Sequence, residues 1–149
     1  MSHSIRKSVP ADADRLFEVW QTAVDATHDF VSAADKIEIA RMVREDYLPV
    51  ADLDVLVDTD GLPVAFMGMT GAEIDSLFVH AGARGTGSGK QLVELAFSRF
   101  PVVRTEVNAQ NTQGVGFWLH MGFREIGRSD LDGQGRPYPL LRLEWNAPN

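Results

Sequence analysis

A glycine-rich turn joins a strand-like segment to a helix-like segment near the middle of the chain. Residues 74–79 read as a strand, and the apolar residues after Lys90 repeat at helical spacing. Such a turn points consecutive backbone N–H groups at one spot beside the positive end of a helix dipole, an arrangement that binds phosphate. Gly85, Gly87 and Gly89 let the backbone bend and approach a ligand because glycine has no Cβ. The sequence therefore predicts a site for a phosphorylated small molecule.

Two common phosphate-binding patterns fit this turn poorly. The P-loop needs G-x-x-x-x-G-K-[ST], whereas glutamine follows the Gly89-Lys90 pair and Gly85 stands one residue too close. The Rossmann pattern opens a long βαβ series, whereas these glycines lie past the midpoint of the chain. A third pattern, [Arg/Gln]-x-x-Gly-x-[Gly/Ala], fits at Arg84, Gly87 and Gly89. An ordinary loop is the alternative interpretation of this segment alone.

Length and composition limit the class of protein. The chain has 149 residues, 44% of them hydrophobic and 23% charged, which suits a single domain over residues 1–149. No apolar run approaches the roughly 20 residues that span a bilayer, and the first residues lack the apolar core of a signal peptide. The absence of cysteine excludes disulfides, cysteine zinc sites and a cysteine nucleophile. We expect a cytoplasmic protein without a membrane partner.

The formal net charge of −7 bears on the partners of the chain. A nucleic-acid binder usually carries a basic patch, and no cluster of lysine and arginine is present, so no nucleic-acid partner is expected. An acidic protein can attract cationic partners by long-range electrostatics. The alternative is that the charge only keeps the protein soluble.

Strands and turns follow from the hydrophobic pattern. The turn at residues 59–61 joins two apolar segments as a hairpin. Strands are predicted over residues 5–9, 53–58, 63–70, 73–80, 102–107, 123–129 and 138–145.

Four helices are predicted between these strands. The first carries an apolar stripe and ends before a loop at residues 25–30. The second runs over residues 33–48 behind the N-cap Ser32, with Ile37 on its buried face. The third follows the glycine-rich turn, and the fourth begins near Asn111. The order β-α-α-β-β-β-α-β-α-β-β predicts an α+β fold with a mixed central sheet flanked by helices.

A second motif lies on the fourth predicted helix and reads Asn111-x-x-Gly114-x-x-Phe117-Trp118-x-x-x-Gly-Phe. Together with the glycine-rich turn and the order of elements, it resembles the GNAT superfamily of N-acetyltransferases over nearly the whole chain. That family has Asn-x-x-Ala-x-x-Phe-Tyr-x-x-x-Gly-Phe at this place. The Asp-Ala-Thr-His-Asp-Phe segment and the Gly-Arg-Pro-Tyr-Pro-Leu-Leu segment further resemble the small bacterial YjaB-like branch.

The resemblance implies a binding site for acetyl-CoA and no metal. In the family, a strand backbone pairs with the pantetheine arm, the glycine-rich turn holds the pyrophosphate, and the asparagine hydrogen-bonds the pantetheine. The acetyl thioester then lies where the strands before and after the glycine-turn helix splay apart. The residues that the resemblance assigns to cofactor binding are Leu77, Phe78, Val79, Arg84, Gly85, Thr86, Gly87, Ser88, Gly89, Lys90, Asn111, Phe117 and Trp118.

The chain departs from the family at the usual general acid, a tyrosine whose position is taken by Trp118. An indole N–H has negligible acidity and cannot supply a proton. A thiol has a pKa of about 8.5, so the thiolate is an adequate leaving group near neutral pH. Tyr138 or His120 is the candidate substitute, and Trp118 either lines the acceptor pocket or only packs at the end of a helix.

Three residues are candidates for the base that removes the amine proton. Glu73 stands four residues before Leu77, where several family members carry a catalytic glutamate, and strict alternation places Glu73, Asp75 and Leu77 on one strand face. His28 lies in the segment between the first two helices, which borders the acceptor site in this family, and histidine titrates near 6.5. The alternatives are a solvated acid at Glu73 and an exposed loop histidine at position 28.

The expected function is acetyl transfer from acetyl-CoA to a primary amine of a small molecule or a protein, by direct attack in a ternary complex. The acceptor is expected to be cationic, and the protein a monomer or homodimer. A non-catalytic acyl-CoA-binding sensor is the alternative, favoured by the missing tyrosine. A structural phosphate-binding domain would leave the Asn111 motif unexplained.

Overall fold

The computed structural model describes residues 3–148 of the chain. Within that range one seven-stranded sheet has the order β1-β2-β3-β4-β5-β7-β6, and every neighbouring pair is antiparallel except β4 and β5. The predicted α+β fold with a mixed sheet is therefore confirmed. The strands are β1 (Ser4–Lys7), β2 (Leu53–Val57), β3 (Pro63–Thr70), β4 (Glu73–Val79), β5 (Val102–Asn108), β6 (Arg124–Ser129) and β7 (Leu140–Asn146).

All predicted strands are present, with ends that differ by one or two residues. The first strand stops before Val9, because the Val9 amide donates to the Asp12 carboxylate at 2.8 Å and starts a 3-10 turn. The last strand begins after Tyr138, whose backbone N–H donates to the Arg136 carbonyl at 2.8 Å within the preceding loop. Both bonds lie next to a proline, Pro10 or Pro139, which has no backbone N–H to continue the strand pairing.

Four α-helices flank the sheet, and none in the described part of the chain is long and apolar enough to cross a membrane. The N-cap prediction for the second helix is confirmed, because the Ser32 hydroxyl accepts from the Asp35 amide at 3.1 Å. The helices are α1 (Ala13–Thr27), α2 (Ala33–Met42), α3 (Ser88–Arg99) and α4 (Thr112–His120).

Two predicted helix boundaries are wrong. α1 continues through residues that were expected to form a loop, because the Thr27 hydroxyl and the His28 amide both bond back to carbonyls of the helix. The second helix changes at Met42 into a π-helical turn over Val43–Tyr47, in which the Leu48 amide bonds the Val43 carbonyl at 2.9 Å. π-helical turns are rare in proteins, and those that occur lie frequently at functional sites.

The buried face predicted for α2 is also partly wrong. Ile37 is 73% exposed, whereas Ile39, Ala40 and Val43 pack against the core. Ile37 and Ile39 stand about 200° apart around a helix of 3.6 residues per turn, so the helix cannot bury both. The core contacts follow Ile39, whereas the helix pattern predicted Ile37.

The described residues form two core clusters, one on each face of the sheet. Along β2, Val55 and Val57 belong to the cluster under α1 and α2, whereas Leu56 belongs to the cluster under α3 and α4. This is the alternation expected of a central strand that is covered on both faces. The two clusters hold α1 and α3 on opposite faces of the sheet. The candidate functional site lies beside β4 and β5, and it is lined by the end of α1 and by the start of α3.

Candidate functional site

The sheet splits between β4 and β5. These strands pair in parallel only at Glu73 with Arg104 and at Ile74 with Thr105, and they diverge beyond those positions. The buried Thr105 hydroxyl donates to the Ile74 carbonyl at 2.9 Å and closes the paired end. A cleft with a cavity volume of about 480 Å³ opens beyond this link. A volume of this size is typical of a small-molecule site.

A β-bulge lies at the point where the split begins. Gly68 pairs with Ser76 and Met69 pairs with Ile74, which leaves Asp75 without an opposite residue. Ile74 and Leu77, three positions apart, both contact the cluster under α3 and α4, so alternation is interrupted between them. The prediction that Glu73, Asp75 and Leu77 share one face is therefore wrong.

The predicted bases fall in different places. Asp75 and His28 line the cleft, whereas Glu73 borders a separate small depression beside Arg104. The Thr70 hydroxyl donates to the Asp75 carboxylate and orients it. Asp75 and His28 approach the cleft from β4 and from the end of α1 respectively, so the fold brings these two residues to one cavity.

The glycine-rich turn forms one end of the cleft. Gly85 and Gly87 have φ values of 78° and 82°, a left-handed conformation that favours glycine, and a Cβ on either would meet no atom within 4 Å. Within residues 3–148, the backbone N–H groups from Gly85 to Lys90 donate no hydrogen bond to the protein. No side chain among the described residues caps α3 either. The turn therefore presents free N–H donors and an open helix N-terminus toward the cavity.

Most residues assigned to cofactor binding line this cleft. Thr86 is the exception, because its hydroxyl turns inward to the Ala83 carbonyl and lies 2.8 Å from the Ser88 hydroxyl. The lining residues from that set are Leu77, Phe78, Val79, Arg84, Gly85, Gly87, Ser88, Gly89, Lys90, Asn111, Phe117 and Trp118.

Asn111 has two separate hydrogen-bonding atoms at the start of α4. Its Oδ1 accepts from the Gly114 amide at 3.0 Å and caps the helix. Its Nδ2 makes no hydrogen bond to the described residues and is left to donate to a ligand. A Cβ at position 114 would lie 2.4 Å from this Nδ2, so Gly114 makes room for the asparagine side chain.

Trp118 is both a core residue and part of the cleft wall. It is 6% exposed and packs edge-on against Phe117 and Phe123, with ring centroids 5.1 and 5.0 Å away. Phe117 in turn contacts the turn, since a Cβ on Gly89 would lie 3.2 Å from its ring. The aromatic group therefore joins α4 to the glycine-rich turn.

The two candidate substitutes for the missing tyrosine lie outside the cleft lining. Tyr138 is buried, and its hydroxyl donates to the Asp35 carboxylate and accepts from the Ser32 amide at 3.2 Å. These bonds join the start of α2 to the approach of β7. His120 is exposed near the end of α4. The fold therefore brings neither residue to the cavity.

His28 caps the C-terminus of α1 in a half-buried position. Burial lowers the pKa of its imidazole, the Lys36 charge acts in the same direction, and Asp29 opposes both. Its Nδ1 lies 2.7 Å from the Thr27 hydroxyl, which itself donates to the Ala23 carbonyl. Nδ1 therefore carries the proton toward Thr27, and Nε2 keeps a free lone pair.

Opposite charges lie at the two ends of the cleft. Arg84 and Lys90 line the end with the glycine-rich turn, and Asp75 and Glu106 line the split between the strands. Glu106 follows Thr105 on β5 as Asp75 follows Ile74 on β4, and Arg142 Nε is 3.8 Å from its carboxylate.

Ser76 and Glu106 are cleft residues that the sequence did not predict. An acid at an outward position of a predicted strand was the only available signal for Glu106, and Ser76 reaches the cleft because of the bulge.

Comparison with known proteins identifies the family of this chain. The family model for the acetyltransferase (GNAT) domain matches residues 24–135, three quarters of the chain. The chain belongs to the GNAT family of acetyltransferases. It is 47% identical over 143 residues to the peptidyl-lysine N-acetyltransferase YjaB of Salmonella typhimurium, covering 96% of this chain and 98% of that protein.

Solved structures agree with this assignment. The solution structure of apo-form YjaB from Escherichia coli is 44% identical, covers 99% of this chain and 100% of its own, and superposes with a TM-score of 0.94. The PaiA N-acetyltransferase of Thermoplasma acidophilum, in complex with coenzyme A, shares the fold with a TM-score of 0.75 at 20% identity, covering 98% of this chain and 99% of its own. The predicted family, the YjaB-like branch and an N-acetyltransferase activity are confirmed.

Proposed function

We propose that this N-acetyltransferase takes acetyl-CoA as donor and the side-chain amine of a lysine in a peptide or protein as acceptor. The observation that carries the proposal is the cleft itself, which has free N–H donors and cations at one end and carboxylates at the other. The relative from Salmonella bears the name of a peptidyl-lysine N-acetyltransferase.

The turn end of the cleft suits a pyrophosphate. The N–H groups of residues 85–90 are uncommitted within the described chain, and the glycine positions leave open space where an anion would approach. Charge-assisted hydrogen bonds contribute roughly 1.5–3 kcal/mol each, so a few of them with strand-like pairing to Leu77–Val79 reach micromolar affinity, about 8 kcal/mol. Acetyl-CoA supplies an acyl group that is activated as a thioester.

The split end of the cleft suits a cationic amine. Asp75 and Glu106 offer carboxylate oxygens on the two diverging strands, and a lysine ammonium is drawn to such a pair. A free lysine amine has a pKa of about 10.4, so a proton must leave before attack. We propose that His28, neutral near pH 7 and with Nε2 unprotonated, accepts that proton while Asp75 holds the amine.

The leaving group needs little help in this proposal. Trp118 replaces the usual tyrosine, and the fold brings neither Tyr138 nor His120 to the cavity. A thiolate leaves adequately at neutral pH because the thiol pKa is about 8.5. The chain therefore supports a reaction in which removal of the amine proton matters more than protonation of the thiolate.

Steady release of free thiol from acetyl-CoA tests the proposal. We expect turnover with a lysine-containing peptide and none with the same peptide acetylated on its lysine side chain. Tight acetyl-CoA binding without turnover on any amine would instead support a sensor, the alternative that the acetyltransferase relatives do not favour. Turnover on small amines but not on peptides would contradict the acceptor class alone.

We also make proposals on the domain organisation, the oligomeric state and the cellular location of the protein. The continuous sheet that separates both core clusters supports one domain over residues 1–149. We also propose a monomer or homodimer in the cytoplasm, where a chain without cysteine suits the reducing conditions. Light scattering and cell fractionation test these two points.

A further inference from the structure

Two hydroxyl groups meet beside the cleft on the side that faces α2. Ser76 lines the cleft, and its Oγ lies 2.7 Å from the hydroxyl oxygen of Tyr47. Tyr47 is the last residue of the π-helical turn and packs against the cluster under α1 and α2. The hydrogen bond therefore links the end of the second helix to the cleft surface of β4.

The backbone makes space for this contact in a specific way. A Cβ on Gly68 would lie 2.5 Å from the Tyr47 hydroxyl and 2.8 Å from Ser76 Oγ, so a larger residue would separate them. Gly68 is the strand partner of Ser76, directly beside the unpaired Asp75 of the bulge. The π-helical turn, the glycine and the bulge thus converge on one pair of hydroxyls.

Either hydroxyl of this pair can donate the hydrogen bond to the other. Neither hydroxyl has another side-chain hydrogen bond within residues 3–148, so the pair depends on this one contact. Burial raises the pKa of the Tyr47 phenol, Asp75 adds to this, and the Ser76 hydrogen bond opposes both. In either direction of this bond, Ser76 Oγ keeps at least one lone pair for a further hydrogen bond.

A proton-donating role toward the leaving thiolate does not suit this pair. A phenol with a raised pKa is a weaker acid than a thiol, whose pKa is about 8.5, so transfer to the thiolate would be uphill. An orienting role suits it, because a serine hydroxyl held from behind presents a fixed lone pair. Thr27 and His28 line the same cavity from α1, where the acceptor amine enters in the function proposed above.

We propose that Ser76, held in place by Tyr47, contacts the incoming amine: its hydroxyl oxygen accepts one amine N–H and thereby aims the nitrogen lone pair at the acetyl carbonyl. Ser76 is then a substrate-contacting residue and Tyr47 a positioning residue. This inference rests on the proposed function and adds two residues to its acceptor site.

Tyr47→Phe, Ser76→Ala and the double variant test this inference. The phenylalanine keeps the ring packing and removes only the hydroxyl. We expect each single variant to lower kcat/KM for a lysine peptide by about three- to tenfold, the loss of one neutral hydrogen bond. We expect the double variant to be no worse than Ser76→Ala, since the two residues act as one unit. The affinity for acetyl-CoA should stay the same in all three.

Ser98→Ala is the matched control, because it removes a serine hydroxyl that bonds the Leu95 carbonyl on the exposed side of α3. A purely structural role would lower the Tm and the acetyl-CoA affinity together and would overturn the inference. Additive losses in the double variant, or wild-type kcat/KM in both single variants, would overturn it as well. A wild-type protein that acetylates no amine overturns the proposed function and this inference with it, whereas turnover indifferent to both substitutions overturns this inference alone.

Discussion

At the scale of single residues, two glycines have nearly the same backbone conformation but different surroundings. Substituting each one therefore distinguishes an effect on ligand binding from an effect on stability. Gly87 lies in the turn at the cleft with φ 82°, and Gly61 lies in the β2–β3 hairpin with φ 80°. A Cβ on either would meet open space, so alanine strains both backbones by a similar amount, about 1–2 kcal/mol. Only Gly87 borders the cleft.

We predict that Gly87→Ala weakens acetyl-CoA binding at least tenfold, whereas Gly61→Ala leaves it unchanged at a comparable loss of Tm. Calorimetric titration and thermal unfolding of both variants check this. If both variants fold and bind acetyl-CoA with equal affinity, the glycine-rich turn does not hold the pyrophosphate.

Asn111 allows helix capping and ligand binding to be measured separately. Aspartate and serine are N-caps about as good as asparagine, but neither can donate from an amide nitrogen. We predict that Asn111→Ser keeps the Tm within about 2 °C and weakens acetyl-CoA binding by roughly 1–2 kcal/mol. An affinity change under about 0.3 kcal/mol would mean that the residue only caps α4.

His28 predicts the pH dependence of the reaction. Because burial lowers its pKa, the neutral form persists below pH 6.5 and is lost as the pH falls further. We predict that kcat/KM of the wild type falls on the acid side with an apparent pKa below 6.5. His28→Gln should lower kcat/KM by about 10²–10⁴-fold and remove that acid limb. An unchanged profile in a folded variant would move the base to another residue.

At the scale of elements, the junction of α2 with the approach to β7 depends on Tyr138. Its hydroxyl bonds lower the pKa of Asp35, together with the Ser32 and Arg136 contacts that act against desolvation. We predict that Tyr138→Phe lowers the Tm by about 2–4 °C at pH 7. Because the folded pKa of Asp35 is depressed, this difference is present above pH 4 and shrinks as the pH falls below it.

The same variant separates a structural tyrosine from a catalytic one. With its hydroxyl committed to Asp35, we expect kcat to fall by less than about 30-fold, under roughly 2 kcal/mol. A thousandfold loss of kcat without a change in Tm would identify Tyr138 as the general acid.

The sequence predicted the helices and strands better than the β-bulge and the π-helical turn that interrupt them. Hydrophobic periodicity located every strand, and the Ser32 cap and the glycine turn were readable because their chemistry is local. The bulge at Asp75 and the π-helical turn depend on tertiary contacts, including the space at Gly68, and no local pattern encodes them. Strict alternation along β4 therefore misplaced Glu73 and overlooked Ser76.

At the scale of the whole molecule, the negative net charge and the carboxylates at the acceptor end of the cleft predict a preference for basic peptides. The net charge is −7, and the acceptor end carries Asp75 and Glu106. We predict a higher kcat/KM for lysine peptides with basic flanks than for those with acidic flanks, and a difference that shrinks with added salt, because the Debye length falls from about 10 Å at 0.1 M to 3 Å at 1 M. Faster reaction of acidic peptides would contradict this.

In the proposed reaction, the acetyl group passes directly from the thioester to a lysine amine in the split between β4 and β5. The most direct measurement is a single-turnover reaction with enzyme in excess, in which mass spectrometry follows the peptide and the protein together. We predict one acetylated lysine for each CoA released, no acetylated protein intermediate in this cysteine-free chain, and a rate that falls at least tenfold in Gly87→Ala at subsaturating acetyl-CoA. Release of CoA without acetylated peptide, or an acetylated protein that forms and decays before the product, would contradict it.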